Sequence, residues 1–515
     1  MDLAIKITLL VIFFGVMIGI GLYCRRHATD VSGFVLGGRS VGPWLTAFAY
    51  GTSYFSAVVF VGYAGQFGWK YGIAATWAGL GNAFIGSLLA WVVLGRRTRV
   101  MSQHLDSATM PEFFGKRFGS NALKLAASAI IFIFLIPYTA SLYNGLSRLF
   151  GMAFDIDYSI CVIVMAILTG IYVIAGGYMA TAINDFIQGI IMLVGIAAVI
   201  LAVLNSQGGF LASLEKLAQV QGDSAIPGVY ASFFGPDPVN LLGVVILTSL
   251  GTWGLPQMVQ KFYAIKSEAA ISKGTVISTA FALVVSGGCY FLGGFGRLFS
   301  DRIDIAANGY DSVIPTMLSG LPAILIAVVV ILVLSASMST LSSLVLASSS
   351  TLTLDFIKGN IIKDMDEKRQ VRWMRGLVVV FIAISVVLAL IQYKSSVTFI
   401  AQLMGVSWGA LAGAFLAPFL YGLYWKRTTK AACWVSFVFS TVFMLAVISP
   451  VKGSLPALLQ SPINAGAFCM IVGLVIVPVV SLFTKAPDRK RLEDVFSCYE
   501  RKVTVTVRDS IGEQE

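Results

Sequence analysis

The sequence predicts an all-α polytopic membrane protein of about thirteen spans. Three observations lead there. Of 515 residues, 57% are hydrophobic and 12% charged, where an ordinary soluble domain carries about 25% charge. The apolar residues gather into runs of about 20 or more, the length that crosses a bilayer as a helix. Lys and Arg concentrate in alternate connections between those runs, the asymmetry that orients a chain in a membrane.

The first run, 2–24, has no basic leader and no small-residue cleavage site, and its apolar stretch is too long for a signal peptide. It reads as a retained helix stopped by Arg25 and Arg26. Further spans are expected at 42–68, 72–95, 122–150, 157–175, 184–205, 239–262, 271–296, 319–357, 374–392, 396–424, 431–450 and 463–484. An odd number puts the termini on opposite sides. The connections RRHATD, GRRTRVMSQHL, KGNIIKDMDEKRQVRWMR and WKRTTK, with the C-terminal tail, hold most of the 36 Lys and Arg. The positive-inside rule then sets the N-terminus outside and the C-terminus in the cytoplasm of a plasma (inner) membrane protein. The net charge of +11 is accordingly an orientation signal that meets anionic lipid, not a nucleic-acid surface. Two long connections, 206–238 and 297–318, fall outside and have room for short surface helices. In the tail, VTVTV has strand character.

The six cysteines form no CxxC pair, and His27 and His104 make no motif. Neither a disulfide framework nor a zinc site is expected. The sequence contains no nucleophile–base pair and no nucleotide loop, so an enzyme is not expected. The composition itself points to the bilayer as partner, with no nucleic acid and no obligate protein partner evident.

The ninth span carries the clearest chemical signal. Eleven of the nineteen residues 335–353 are Ser or Thr, directly after the apolar run LPAILIAVVVILVL. Lipid cannot solvate hydroxyls, so they face protein, water or an ion. Ser339, Ser342 and Ser343 stand at i, i+3 and i+4 on one face, with Thr340 beside them. Neutral oxygens on one face suit a hard monovalent cation such as Na+. Such hydroxyls also bond back to the preceding turn, and that alternative stays open.

Two spans contain the punctuation of broken helices. LTAFAYGTSYFSAVVFVGYAG carries Gly51, Thr52 and Ser53 in its middle; LTSLGTWGLPQMVQKF carries Gly251, Gly254 and Pro256. Pro removes a backbone donor and Gly tolerates distorted backbone. The two spans are five apart, so spans 2–6 and 7–11 read as two inverted five-helix repeats, each opening on a break. Among acidic residues, Asp185 in GGYMATAINDFIQGIIMLVGI falls inside an apolar run. It either faces the hydroxyls as an anionic ligand or, with Asn184, caps the start of the following helix.

The segments FVLGGRSVGPWLTAFAYGTSYFSA, MPEFFGKRFGS, GIYVIAGGYMATAINDFIQG, GLPQMVQKFYAIKS and LSASMSTLSSLVLASSST together resemble the sodium/solute symporter family. Its members include proline, pantothenate, sialic acid and sugar transporters. The resemblance implies a leucine-transporter-type core of two inverted five-helix repeats, with one helix before it and two after. The chain then divides into an N-terminal extra helix and loop (1–41), a first repeat with its external loop (42–238), a second repeat (239–430), two C-terminal helices (431–484) and a cytoplasmic tail (485–515).

Carried over by position, the resemblance implies a main Na+ site made of the carbonyls of Thr52, Phe55 and Ala336 and the hydroxyls of Ser339 and Thr340. It also implies a second Na+ site in some relatives, matched here by Asp185, Ser342 and Ser343 together with Ser339. One or two coupling ions follow. The solute pocket falls on Tyr54, Ser56, Thr252 and Trp253, with Tyr138 and Trp408 as further candidates whose alternative, favoured for each singly, is helix packing. Tyr54 stands where proline carriers have an aspartate, and Thr248 and Thr252 where they have aromatic residues. Leu135 stands near the arginine of sialic acid carriers, and two segments are closer to the pantothenate branch. The expected function is Na+-driven import of an amino acid such as proline, of pantothenate or of a monocarboxylate, by alternating access. A proton-coupled carrier using Asp185, or a transporter-like solute sensor, is the alternative.

Overall fold

The structure, a computed structural model, describes residues 2–154, 157–221, 226–358, 360–362, 364–395 and 400–500. The VTVTV segment and residues 396–399 lie outside the described residues. The described chain is helical, and its β-pairing is confined to two isolated bridges, Val41–Ile265 and Lys358–Ile362.

The long helices are α1 (Asp2–Cys24), α2 (Pro43–Tyr54), α3 (Val58–His104), α4 (Asn121–Phe154), α5 (Tyr158–Ser206), α6 (Pro238–Gly254), α7 (Pro256–Ala264), α8 (Glu268–Gly293), α9 (Ala323–Ile357), α10 (Glu367–Ser395), α11 (Ile400–Tyr424), α12 (Lys430–Ile448) and α13 (Pro462–Phe483). Among the described residues, ten helices are long and apolar enough to cross a membrane, or eleven if the bent pair α6–α7 is one span.

The expectation of thirteen spans is finer than this count resolves, because two helices are too long for one crossing. At 1.5 Å per residue, the 47 residues of α3 and the 49 of α5 each reach roughly 70 Å, more than twice a hydrocarbon core of about 30 Å. Each contains a glycine with positive φ, Gly72 (φ 61°, ψ −143°) and Gly177 (φ 55°, ψ −149°), where two helical stretches meet. The span expected to start at 184 therefore starts near Gly177. A Cβ on Gly177 would lie 2.8 Å from the Phe34 carbonyl oxygen, so both its φ and its surroundings require glycine.

In the long connections the anticipated surface helices are Phe210–Ala218 and, in 297–318, Ile305–Asn308 with the start of Val313–Ser319. At the centre, α11 is almost wholly enclosed, packed on α4, α6, α12 and α13, whereas most of α1 faces outward. The hydroxyl-rich α9 packs between α2, α4, α5 and α10, which takes its polar face out of lipid. Close approach of α3 and α8 depends on small residues: a Cβ on Gly68 would stand 1.9 Å from the Gly293 carbonyl oxygen.

Candidate functional site

Helix α2 stops at Tyr54, and Phe55 (φ −92°, ψ 115°) is extended. Helix α6 stops at Gly254, and Leu255 (φ −82°, ψ 127°) is extended in the same way before Pro256 opens α7 at a bend of 46°. Pro at a first helical position costs no hydrogen bond. The breaks thus lie at Phe55 and Leu255, while Gly51, Thr52 and Ser53 are still helical. Gly51, Gly251 and Gly254 keep negative φ, so backbone freedom is not their role. Neighbours fill their Cβ positions instead: Phe281 at 2.3 Å, the Trp408 ring at 2.5 Å and Ala412 Cα at 2.8 Å.

The last carbonyls of a helix have no partner within it. Here the carbonyls at the end of α2 face α9. Ser339 Oγ lies 3.1 Å from the Thr52 carbonyl oxygen and 3.1 Å from that of Ala336. Thr340 Oγ1 lies 3.1 Å from Thr52 O, 3.4 Å from Phe55 O and 3.1 Å from Ala336 O. All five residues are buried. Two hydroxyl protons cannot serve five such approaches, since each hydroxyl donates once. The cluster is an excess of oxygen lone pairs in dry surroundings, with no negative charge of its own. Neutral oxygens so arranged would suit a small monovalent cation, which they would hold without trapping it. The five residues inferred for the main Na+ site are the ones the fold brings together.

The donors inferred for a second site are engaged otherwise. Ser342 Oγ donates to the Ser339 carbonyl in its own helix at 2.9 Å, and Ser339 faces the first cluster. Ser343 Oγ is hydrogen-bonded to Ser53 Oγ at 2.9 Å and accepts from Lys261 Nζ at 3.1 Å. Lys261 Nζ stands 3.8 Å from Asp185 Oδ2, with both side chains buried. The residues of this second set do not fit a free ion, because an ammonium already lies between Ser343 and Asp185. Asp185 lies in the interior of α5, well past Gly177, so it does not cap a helix. Lys261 is the residue that sequence reasoning missed. Its signal in the sequence is a lone basic residue inside the expected span 239–262.

The inferred pocket residues divide into two groups. Thr252 Oγ1 is 2.9 Å from both Gly86 O and Ser249 O, and Trp253 Nε1 donates to Ile85 O at 2.9 Å. These groups are committed to α3 and to their own helix. By contrast, the hydroxyl of Tyr54 is buried with no hydrogen-bond partner among the described residues, as are Tyr138 OH and Trp408 Nε1. Tyr138 lies beside Ser56 and packs edge-on against Trp408, ring centroids 5.9 Å apart. Unpaired buried polar groups are costly and rare; Tyr54 is the last helical residue before the break at Phe55, and Tyr138 meets Trp408 where α4 packs on α11.

Residues 34–438 match the family described as the sodium:solute symporter family. The chain is similar to the sodium/proline symporter of Staphylococcus aureus (strain JH9), 30% identical over 493 residues that cover 93% of each chain. It is also similar to the osmoregulated proline transporter OpuE of Bacillus subtilis (strain 168), 27% identical over 482 residues, 93% of this chain and 94% of that one. Among solved structures, a Na+-coupled sialic acid symporter in a substrate-bound outward-open state has the same fold, with a TM-score of 0.72 at 15% identity, over 94% of this chain and 99% of that one.

Proposed function

The chain belongs to the sodium:solute symporter family, a multi-pass membrane transporter and not an enzyme, and we propose that it imports a small organic solute with Na+ by alternating access. The observation that carries this reading is the cluster of five oxygens at the junction of α2 and α9. In it, Na+ bridges the end of the broken helix α2 to α9 and favours the form open to the outside. Solute then enters beside the break, against Tyr54 and Ser56, with Tyr138 and Trp408 supplying further donors. Thr252 and Trp253 form the wall that carries α6 against α3. The repeats rock, and both ligands leave on the cytoplasmic side.

The architecture proposed for this cycle has thirteen spans: α3 and α5 divided at Gly72 and Gly177, two inverted five-helix repeats over 42–238 and 239–430, one helix before and two after. The matching extended residues Phe55 and Leu255 support that repeat. The N-terminus lies outside and the tail inside, in accord with the basic connections.

Each Na+ that enters down a 100 mV inside-negative potential contributes about 2.3 kcal/mol, before its concentration gradient is counted. Coupling requires Na+ and solute to raise each other's affinity by the same factor. The pocket groups are neutral hydroxyls and an indole N–H, which suits a solute read by hydrogen bonds. The similar proteins named for proline make proline one candidate, with pantothenate and short monocarboxylates beside it. The test is uptake of each labelled compound into proteoliposomes under an inward Na+ gradient, against K+ and proton gradients. Uptake of one of them that requires Na+ is expected; uptake driven by the proton gradient alone would overturn Na+ coupling.

A further inference from the structure

A buried charge pair lies next to the oxygen cluster and takes no part in it. Lys261 is on α7, past the second break, and its ammonium donates to Ser343 Oγ on α9 at 3.1 Å. It stands 3.8 Å from Asp185 Oδ2 on α5 and 5.1 Å from the centre of the Tyr178 ring. The Lys261 and Asp185 side chains are 2% and 0% exposed. The carboxylate of Asp185 accepts no hydrogen bond among the described residues, so Lys261 is its electrostatic partner. The other polar groups facing the pair are neutral: Ser53 from α2, Ser343 from α9, and Tyr172 and Tyr178 from α5.

A carboxylate and a serine hydroxyl on facing helices are donors for a monovalent cation, and the protein's own ammonium lies between them. One carboxylate neutralises one positive charge. A second cation beside Lys261 would meet an unscreened like charge in surroundings where that repulsion is far stronger than in water. We propose that Lys261 is a tethered cation standing in for a second sodium ion, so that the chain couples one Na+ per transport cycle. This rests on the reading of the Thr52 and Thr340 cluster as the Na+ site. An ion bound there would come and go with Na+ concentration. The ammonium cannot leave, so it fixes α5, α7 and α9 to one another in every step in which the contact persists.

The experiment counts ions directly and needs no knowledge of the solute. Purified full-length protein is dialysed to equilibrium against radiolabelled sodium in choline chloride. The wild type is expected to bind one Na+ per chain and Lys261→Met two, the extra ion being lost again in Lys261→Met/Asp185→Asn. Two ions on the wild type, or no gain in Lys261→Met, would overturn the proposal. Because removing Lys261 leaves a buried carboxylate unpaired, thermal unfolding in NaCl against choline chloride gives a second readout. Sodium should raise the midpoint of Lys261→Met more than that of the wild type, and an equal response would count against a vacated cation site. Failure of the underlying reading appears elsewhere: Thr340→Ala would then lose no ion in either background, whatever Lys261→Met gains.

Discussion

Thr340 Oγ1 lies 3.1 Å from the carbonyl oxygen of Thr52, a residue 288 positions earlier in the chain. The contact joins the end of one helix to the hydroxyl face of another, and each side lacks something the other cannot fully supply. The carbonyls at the end of α2 lack intrahelical donors, and Thr340 has one proton for the three carbonyls around it. A cation at this junction would satisfy both helices at once.

Removing either hydroxyl should therefore act on sodium before it acts on solute. Thr340→Ala and Ser339→Ala are each expected to raise the Na+ concentration for half-maximal uptake about tenfold, the equivalent of about 1.4 kcal/mol. Thr340→Ser, which keeps the oxygen, should recover most of that loss. The measurement is initial uptake rate against Na+ concentration at saturating solute. Unchanged Na+ dependence in both alanine variants would dismiss the cluster as the ion site.

The solute pocket predicts a contrast between two aromatic residues. Tyr54→Phe deletes a hydroxyl that has no partner within the protein, so a solute that bonds to it should lose about 1 kcal/mol, or roughly fivefold in KM. Trp253→Phe deletes an N–H already donated to Ile85 O. Its cost should appear in folding yield, with KM nearly unchanged. Kinetics showing the reverse order would move the pocket to the α6 side.

How much of this was legible in the sequence depends on which physical force fixes each feature. Hydrophobic length and basic connections depend on composition alone, so helix positions were readable from the chain. Hydroxyls are conspicuous in an apolar run, so the polar face of α9 was readable, whereas the pairing of Ser339 and Thr340 with the Thr52 and Phe55 carbonyls followed only from the family resemblance. The break at Leu255 follows from Pro256, because the residue before a proline is driven out of the helical region, whereas no such local signal marks Phe55, and the conspicuous glycines beside the breaks serve close packing instead. Lys261 was the larger omission. Its meaning depends on a partner 76 positions away (261 − 185), and only the fold brings Asp185 to it.

Outside the membrane spans, Asp311 predicts a pH effect on stability. It is buried, and its Oδ2 accepts the Ile400 N–H at the start of α11 at 3.2 Å. Burial pushes its carboxyl up to about 6, against the opposing pull of that N–H and of Arg148. The unfolded value is about 3.9, so the folded state binds the proton more tightly. The stabilisation is full below pH of about 4 and is lost as pH rises through about 6, by at most 2–3 kcal/mol. Asp311→Asn should flatten this slope in thermal unfolding between pH 4.5 and 7. A slope that persists in the variant would assign it to another group.

The α3–α8 contact makes the plainest stability prediction. A methyl group on Gly68 would lie 1.9 Å from the Gly293 carbonyl oxygen and 2.8 Å from its Cα, and one on Gly293 would lie 2.1 Å from the Ala64 carbonyl oxygen. The obstacle is backbone on both sides, so no rotamer change relieves it, and the helices must separate. Overpacking of this kind costs about 1–3 kcal/mol or more. Gly15 in α1 and Gly376 in α10 have nothing within 4 Å of the same methyl position. There, alanine should be neutral or stabilising by up to about 1 kcal/mol through helix propensity. Gly68→Ala and Gly293→Ala are expected to lower the unfolding midpoint and the monodisperse yield in detergent, while Gly15→Ala and Gly376→Ala leave both unchanged or raised. If all four variants behaved alike, the two helices would not be in backbone contact.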